Sequence, residues 1–507
     1  MDPLETSSSL PWDVLLHVVP FITSQSDLSR FMRTCITLYQ HGLPTLSRQC
    51  HIRGSSWKSI NSFCSFVLKT PDRCLWLREL SIPDIRSYEE TPAHELDQEM
   101  ASLTMLAQAI SDARNLECLR IFDFGYLLER ASHTTLYLAI SSLRNIKAIH
   151  FGNLNALSFN LMENMQTTSL KEATLDFDLD PSESLTNVVY LPQHLQQFQD
   201  SLEGLIVYDT FQSAPIIWNL GDIAFPRLHT LRIYSDSLEN APMEDLCATF
   251  PNAKNVTLLA HQRPMHVLEF RDESWFGWSH HTWKLDRFRC SVPWAYGLGA
   301  HFHTQLWDGI VLGDDDLISN LEYFQDVAKD VQVERLDVEL HVSNWHRIHH
   351  ESFTSIFPSL QITHLHLDLR WLEDDVPLGP SAMMLPSVFS DLAVNLEILP
   401  LQFLGFRFGV VHQSWSHPGG PGKESLLQLF ETHIRHNLDY MSYTHKLANA
   451  VPSLKHVCFR FLHLPQSEEV WRAETTNSGD EDRASPRGVV QLDQVEGIRV
   501  LKNSPFK

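Results

Sequence analysis

One spacing recurs along the chain: an apolar residue, two variable positions, an apolar residue, one variable position and a third apolar residue. It is found in LRELSI from Leu77, LECLRI from Leu116, IKAIHF from Ile146, LKEATL from Leu170, LEGLIV from Leu202 and LHTLRI from Leu228. It continues in AKNVTL from Ala253, LDRFRC from Leu285, VERLDV from Val333, ITHLHL from Ile362, LEILPL from Leu396 and LKHVCF from Leu454, with a weak last match, VEGIRV, from Val495. Most starts lie 24 to 34 residues apart, with wider gaps from 285 to 333 and from 396 to 454. A single match means little, since three apolar residues in six are common. The serial recurrence is what constrains the fold. A unit that cannot bury its own apolar face becomes stable by stacking on copies of itself.

The context of the units fits this reading. Phe225-Pro226, Phe250-Pro251 and Val451-Pro452 precede units directly, and Phe357-Pro358 does so in an offset frame. Proline ends a helix, so each pair marks a stop before a strand. Helical spacing stands upstream, as Leu103, Leu106, Ala107 and Ile110 before 116, and as Leu195, Phe198 and Leu202. Each copy therefore reads helix, stop, short strand, loop. The expected fold class is α/β, with parallel strands on one face of an irregular stack over residues 77–470. The period matches that of leucine-rich repeats, or slightly exceeds it. Two inserts are expected, a Trp/His-rich one near 259–284 and one near 403–445 that holds HPGGPG. A polar loop and tail fill 471–507, and an ordinary α/β domain with several buried strands stays open as the alternative.

Residues 9–50 contain no such unit. Val14, Leu15, Val18, Val19 and Ile22 form one apolar helical stripe. Ser26-Asp27 offers a cap for a second helix bearing Leu28, Phe31, Met32 and Cys35, and Leu38, Tyr39 and Leu43 follow. A connecting helical segment covers 51–76. Leu10-Pro11, Asp13, Leu15-Leu16, Asp27-Leu28, Cys35 and Tyr39 fall in an order that resembles an F-box, and RTCITLYQHGLP is similar to the end of F-box segments in F-box/leucine-rich-repeat proteins. Pro20 inside the first helix and a lengthened break before Asp27 depart from that pattern. The resemblance implies a substrate receptor of a ubiquitin ligase: the F-box docks a Skp-type adaptor, and through it a cullin–RING ligase, while the repeats hold a protein target. It also implies Leu10, Pro11, Leu15, Leu16, Val18 and Leu28 as adaptor contacts. A repeat scaffold without a ligase, and an enzyme on a large α/β fold, remain the alternatives.

Target residues follow from alternation along a strand. Positions between the core-facing ones face out, which selects Glu172, Asp176, Asp178, Tyr208, Arg232, Tyr234, Asp337, Glu339, His364, His366 and Asp368. This acidic set with aromatic anchors predicts a target with a basic segment, anchored near Tyr208, Arg232 and Tyr234. The formal net charge of -23 argues against a nucleic-acid or anionic-membrane partner. The apolar runs stop short of a membrane span and no signal peptide is read, so a cytoplasmic or nuclear setting is expected. The eight cysteines include no C-x-x-C pair and read as buried free thiols.

No cofactor or metal is expected. HPGGPGKES lacks two defining residues of a phosphate loop. His364, His366 and Asp368 share a strand face and could bind zinc, but alternation puts polar residues there in any such repeat. Asp314-Asp315-Asp316 lacks the rest of a calcium loop. No catalytic elbow or HExxH is present, so the chain reads as non-enzymatic.

Overall fold

The computed structural model describes residues 12–53, 56–85, 93–130, 135–177, 189–209, 216–218, 223–235, 243–260, 283–298, 302–312, 317–341, 360–372, 385–411, 432, 434–436, 438–461, 469–474 and 488–503. It divides into two units, residues 1–241 with 248–252, and residues 242–247 with 253–507. Both are mixed α/β with parallel strands.

Unit one opens with helices α1 (Trp12–Val18), α2 (Gln25–Met32) and α3 (Ile36–Arg48). Pro20 does not break α1. It sits in the short 3-10 turn Val19–Phe21 that follows the helix, where its missing N–H costs nothing. The Ser24 side chain accepts from the Asp27 N–H, so Ser24 caps α2 in place of the expected Ser26. The Cys35 Sγ accepts from the Leu38 N–H and caps α3 in the same way. Val19, Leu28, Met32, Leu38 and Leu43 form the small core of this module, with Leu15 and Leu16 packed half-buried against it. Helices α4 (Trp57–Leu68) and α5 (Pro71–Trp76) lead on from it.

The sheet of unit one runs through β1 (Gln49–His51), β2 (Glu79–Ile82), β3 (Cys118–Ile121), β4 (Ala148–Phe151), β5 (Glu172–Asp176), β7 (Gly204–Asp209) and β9 (Thr230–Ser235). All neighbours are parallel. Strands β6 (Val189–Tyr190) and β8 (Ile216–Ile217) form a separate parallel pair. The register aligns Leu80, Leu119, Ile149, Ala173, Leu205 and Leu231 in one row, and Ile82, Ile121, Phe151, Leu175, Val207 and Ile233 in a second, and all are buried. Leu103, Leu106 and Ile110 of the helix Ala93–Asp112 are buried too. Each repeat is tied to the next by one carbonyl that accepts two successive N–H groups. Glu117 O takes Lys147 and Ala148, Lys147 O takes Lys171 and Glu172, and Lys171 O takes Glu203 and Gly204.

Unit two holds β10 (Asn255–Leu259), β11 (Trp283–Cys290), β12 (Phe302–Leu312), β13 (Gln332–His341), β14 (His364–Leu372), β15 (Phe403–Val411) and β16 (His456–Phe461), all parallel to their neighbours. The same carbonyl step recurs, as Gln402 and Phe403 N–H groups on Thr363 O and Lys455 and His456 N–H groups on Gln402 O. Then the direction changes: β17 (Glu469–Ala473) and β18 (Val489–Gln491) are antiparallel.

Several expectations are corrected here. LEILPL is not a strand: Leu396 ends the helix Leu385–Leu396, and the strand begins at Phe403, inside the expected insert. VEGIRV lies in the helix Gln494–Asn503, and 471–507 contains β18 and this helix besides polar chain. Strand β12 was not anticipated, and it fills the wide gap between 285 and 333. All eight cysteines are free, but Cys35, Cys50 and Cys247 are only half-buried. HPGGPG, Asp314–Asp316 and Phe357-Pro358 lie outside the described residues. Among the described residues no helix is long and apolar enough to cross a membrane.

Candidate functional site: the open faces of the two sheets

One face of each sheet carries the buried apolar rows. The other, the open face, carries the positions between them. In unit one its last row is Asp176, Tyr208 and Tyr234, which are directly paired in register. The rings of Tyr208 and Tyr234 stack with centroids 4.7 Å apart and planes 11° apart, and Arg232 is exposed beside them. Half-burial raises the Tyr208 hydroxyl above its ordinary range, Tyr234 and Asp176 add to this, and Arg232 opposes it. The three anchors therefore do form one surface. Glu172 is exposed at the other end of its strand, and Asp178 lies outside the described residues.

In unit two the strands are longer, and the open-face side chains lock one another in place. Register sets Asp337, His366, Gly405 and Cys458 in one row, and Glu339, Asp368, Arg407 and Arg460 in the next. His366 Nδ1 lies 3.1 Å from Asp337 Oδ1. The imidazole fits because its neighbour is glycine: a Cβ on Gly405 would stand 2.6 Å from His366 Cδ2. Asp368 is paired with Arg370 at 2.8 Å and with Arg407 at 3.3 Å. Glu339 Oε1 lies 3.2 Å from His341 Nε2. At β12 the register shifts between Trp307 and Ile310, with Gly309 at φ +82°. A bulge of this kind re-aims a side chain, and here Asp308 meets Arg287.

Burial and neighbours pull the two central carboxyls apart. Burial favours neutral Asp337, but the hydrogen bond and charge of His366, with Arg407 and Arg287, outweigh it and hold its pKa below the ordinary value. For Asp368 burial wins over Arg370 and Arg407, and Glu339 assists it, so its pKa is raised. His364 is lowered by burial first and by Arg335 second.

The acids expected to face a basic target are largely enclosed in unit two. His366 is buried and Asp368 is only 4% exposed, and each of Asp337, Glu339 and Asp368 has a cationic or imidazole partner. Among the described residues no group of three His, Cys, Asp or Glu is placed to hold a metal ion. Sequence reading missed Asp308, His341, Arg370 and Arg407. The pattern DLR after His366 carried a signal for Arg370, because it continues the same alternation.

The C-terminal helix Gln494–Asn503 belongs to this face as well. Val500 and Leu501 pack on Phe403, Cys458, Val470 and Leu492, and Arg472 pairs with Glu496 at 3.0 Å. Gly497 allows the approach: a Cβ there would sit 3.4 Å from Val470 Cγ2. The chain thus covers the end of its own open face.

In the N-terminal module, Leu10 and Pro11 lie outside the described residues. Leu28 is 2% exposed and belongs to the core, so it is not available for contact in the folded module. Leu15 and Leu16 are half-buried, and Val18 is exposed. Trp12, Val14, Phe21, Ile36 and Tyr39 are also exposed, Phe21 and Ile36 by 73% and 74%.

No protein-family model and no curated protein matches the chain. Among solved structures, the leucine-rich repeat-containing protein LegL7 from Legionella pneumophila is similar over 76% of this chain and 90% of its own, at 11% identity and a TM-score of 0.30. So loose a likeness bears on neither site nor function. The in-register parallel ladders with helices between strands define a mixed α/β fold built on a long parallel sheet.

Proposed function

We propose that this chain is a non-enzymatic substrate receptor. Its repeats hold a protein target on the open face, and its N-terminal helices dock a Skp-type adaptor of a cullin–RING ubiquitin ligase. One observation carries the reading. A module with a core of five buried side chains leaves Trp12, Val14, Val18, Phe21, Ile36 and Tyr39 on its surface. A fold this small has few apolar residues to spare, and an apolar surface of this kind suits a partner's hydrophobic groove. The order of residues that resembles an F-box supports the same partner. In unit one, the stacked Tyr208 and Tyr234 beside Arg232 have the residue types that anchor protein interfaces.

Co-purification of the full chain with a Skp-type adaptor tests this. Val14→Asp with Ile36→Asp puts two charges on exposed positions, so the module stays folded and adaptor capture falls at least tenfold, because each charge is desolvated without a partner. Unchanged capture by a folded double variant refutes the docking assignment. A Tyr208→Ala/Tyr234→Ala variant loses target and keeps adaptor.

A further inference from the structure

We infer that the free edge of β1 takes an acidic, extended segment of a partner protein as an added strand. Among the described residues β1 stands first in its sheet and pairs only with β2. In a parallel pair, alternate residues of a strand bond the neighbour, and the residues between them direct their backbone groups the other way. Ile52 N–H donates to Ser81 O, and Arg48 O accepts from Arg78 N–H, so the even-numbered residues face β2. Gln49 and His51 therefore direct N–H and C=O outward. The Gln25 side chain donates to Gln49 O, in keeping with that direction, and occupies this one group. The N–H and C=O of His51 have no protein partner among the described residues. An uncovered edge is a template for pairing, and proteins cover or blunt the edges that serve no partner. Unit two does so at its end, where β16 is followed by antiparallel β17 and β18, and where Val500 and Leu501 of the last helix pack against Val470 and its neighbours.

The edge borders a groove of about 660 Å³ whose other wall is α4. Leu46, Ile52, Phe63 and Phe66 give it an apolar lining. Burial pushes the Cys50 thiol up to about 11, so Cys50 adds no charge there. Two cations stand over this lining, Arg53 just after β1 and Lys58 in the first turn of α4. Both are exposed, and among the described residues neither has an ion-pair partner. No Asp or Glu is among the described residues that line the groove. In a chain with a formal charge of -23 this is a local reversal of sign, which selects an acidic partner and rejects a basic one. A peptide fits the edge better than a polynucleotide. A phosphodiester backbone offers acceptors only and would leave the His51 C=O unpaired, whereas an added strand supplies both a donor and an acceptor. Side chains of such a strand alternate between its two faces. Those on the α4 side meet Phe63 and Phe66 and are apolar, and acidic residues next to them reach Arg53 and Lys58.

The test uses the full chain and fluorescein-labelled ten-residue peptides, read by fluorescence polarisation. One peptide alternates Val and Thr and ends in three Glu, and its counterpart ends in three Lys. Two further copies of the Glu peptide carry N-methyl groups, one on the Val and one on the Thr residues. The Glu peptide binds and the Lys peptide does not. One N-methylated copy loses binding and the other keeps it, because only alternate N–H groups of the peptide face the edge. His51→Pro removes the outward N–H without touching a bond to β2, and an edge strand accepts proline at such a position. It lowers affinity roughly tenfold, whereas His51→Ala, which keeps the N–H, binds as the parent does. Arg53→Glu with Lys58→Glu also lowers affinity roughly tenfold and leaves the urea midpoint and adaptor capture unchanged. Absent Glu-peptide binding overturns the inference, as does binding that both N-methylated copies retain. Parental affinity in a His51→Pro chain with the parental urea midpoint overturns it as well; if that variant does not fold, the N-methylated pair decides on the parent chain. Tighter binding of the Lys peptide or of a single-stranded oligonucleotide also overturns it, and self-association that His51→Pro abolishes would assign the edge to a second copy instead. A chain that captures adaptor but not the Glu peptide refutes only this inference. A chain that binds the Glu peptide but no adaptor refutes the ligase reading and leaves this one standing.

Discussion

The two open faces are built by the same alternation and behave differently. In unit one the strands β2 to β5 have four or five residues, and in unit two β11 to β15 have eight to eleven. A short strand offers only one or two open-face positions, each next to a rim. Its side chains stay at least partly wet, as Arg120 and His150 do. A long strand has positions flanked on all four sides. There the same residue types become buried, and a buried charge has to be paired. Strand length, more than composition, decides whether a polar row is a wet surface or a locked network.

The largest test of that contrast is Asp368→Ala. It leaves Arg370 and Arg407 without their shared carboxylate, in a position that water reaches poorly. Breaking a buried pair from one side costs about 3–5 kcal/mol, and the partial exposure of both guanidinium groups lowers the expectation to about 2–4 kcal/mol. Urea unfolding measures it. Arg232→Ala in unit one, exposed on the six-residue β9, is expected to change stability by less than about 0.5 kcal/mol. Equal losses for the two variants would show that strand length does not govern burial here.

Gly405→Ala probes the same network more gently. The added methyl would meet the His366 ring, which must move or push β15 away, at a cost of about 1–3 kcal/mol. Because His366 holds Asp337, the variant also removes what lowers the Asp337 carboxyl. That carboxyl favours folding above its ordinary value of 3.8, and the benefit is lost as pH falls through its lower folded value. The Gly405→Ala protein should therefore lose less further stability on acidification than the parent. A double change, Gly405→Ala with His366→Ala, should recover part of the loss by making room. Failure of that rescue would place the strain elsewhere.

Most of the ladder was legible because the six-residue spacing is a consequence of geometry. Its first apolar residue sits two positions before the strand in LECLRI, IKAIHF, LKEATL and LEGLIV, where it fills the turn, and the other two point into the core. LEILPL satisfied the spacing with Leu396, Leu399 and Leu401, all buried, but at a helix end and in the turn after it. Strand β12 escaped because the bulge at Asp308-Gly309 breaks the alternation on which the pattern depends. Strand β15 escaped because its open-face positions are Gly405, Arg407 and Gly409 between phenylalanines, which resembles no leucine-rich spacing. The open-face residues were assigned by alternation, which locates the face. The burial of His366 and Asp368 was not legible, since it depends on cross-strand neighbours 29 to 39 residues away.

The smallest expected effect lies on the rim of unit one. Lys147 Nζ pairs with Glu117 at 2.8 Å, and Lys171 Nζ with Glu203 at 2.7 Å, joining successive repeats at the start of their strands. The hydrogen bond from each lysine lowers its partner's carboxyl pKa, which would suggest a contribution to stability at neutral pH. Both lysines are half exposed, however, and the carboxylates more than a third. Water and salt screen such pairs, and two long side chains lose freedom in making them, so each is worth about 0–1 kcal/mol. The stronger tie at the same place is the backbone step, in which Glu117 O and Lys171 O each accept two N–H groups, and a side-chain change leaves that untouched. Lys147→Ala and Lys171→Ala together should lower stability by less than about 1 kcal/mol, with the loss vanishing in 0.5 M salt. A larger loss that persists in salt would mean that the rim pairs, and not the carbonyl step, hold the repeats of unit one in register.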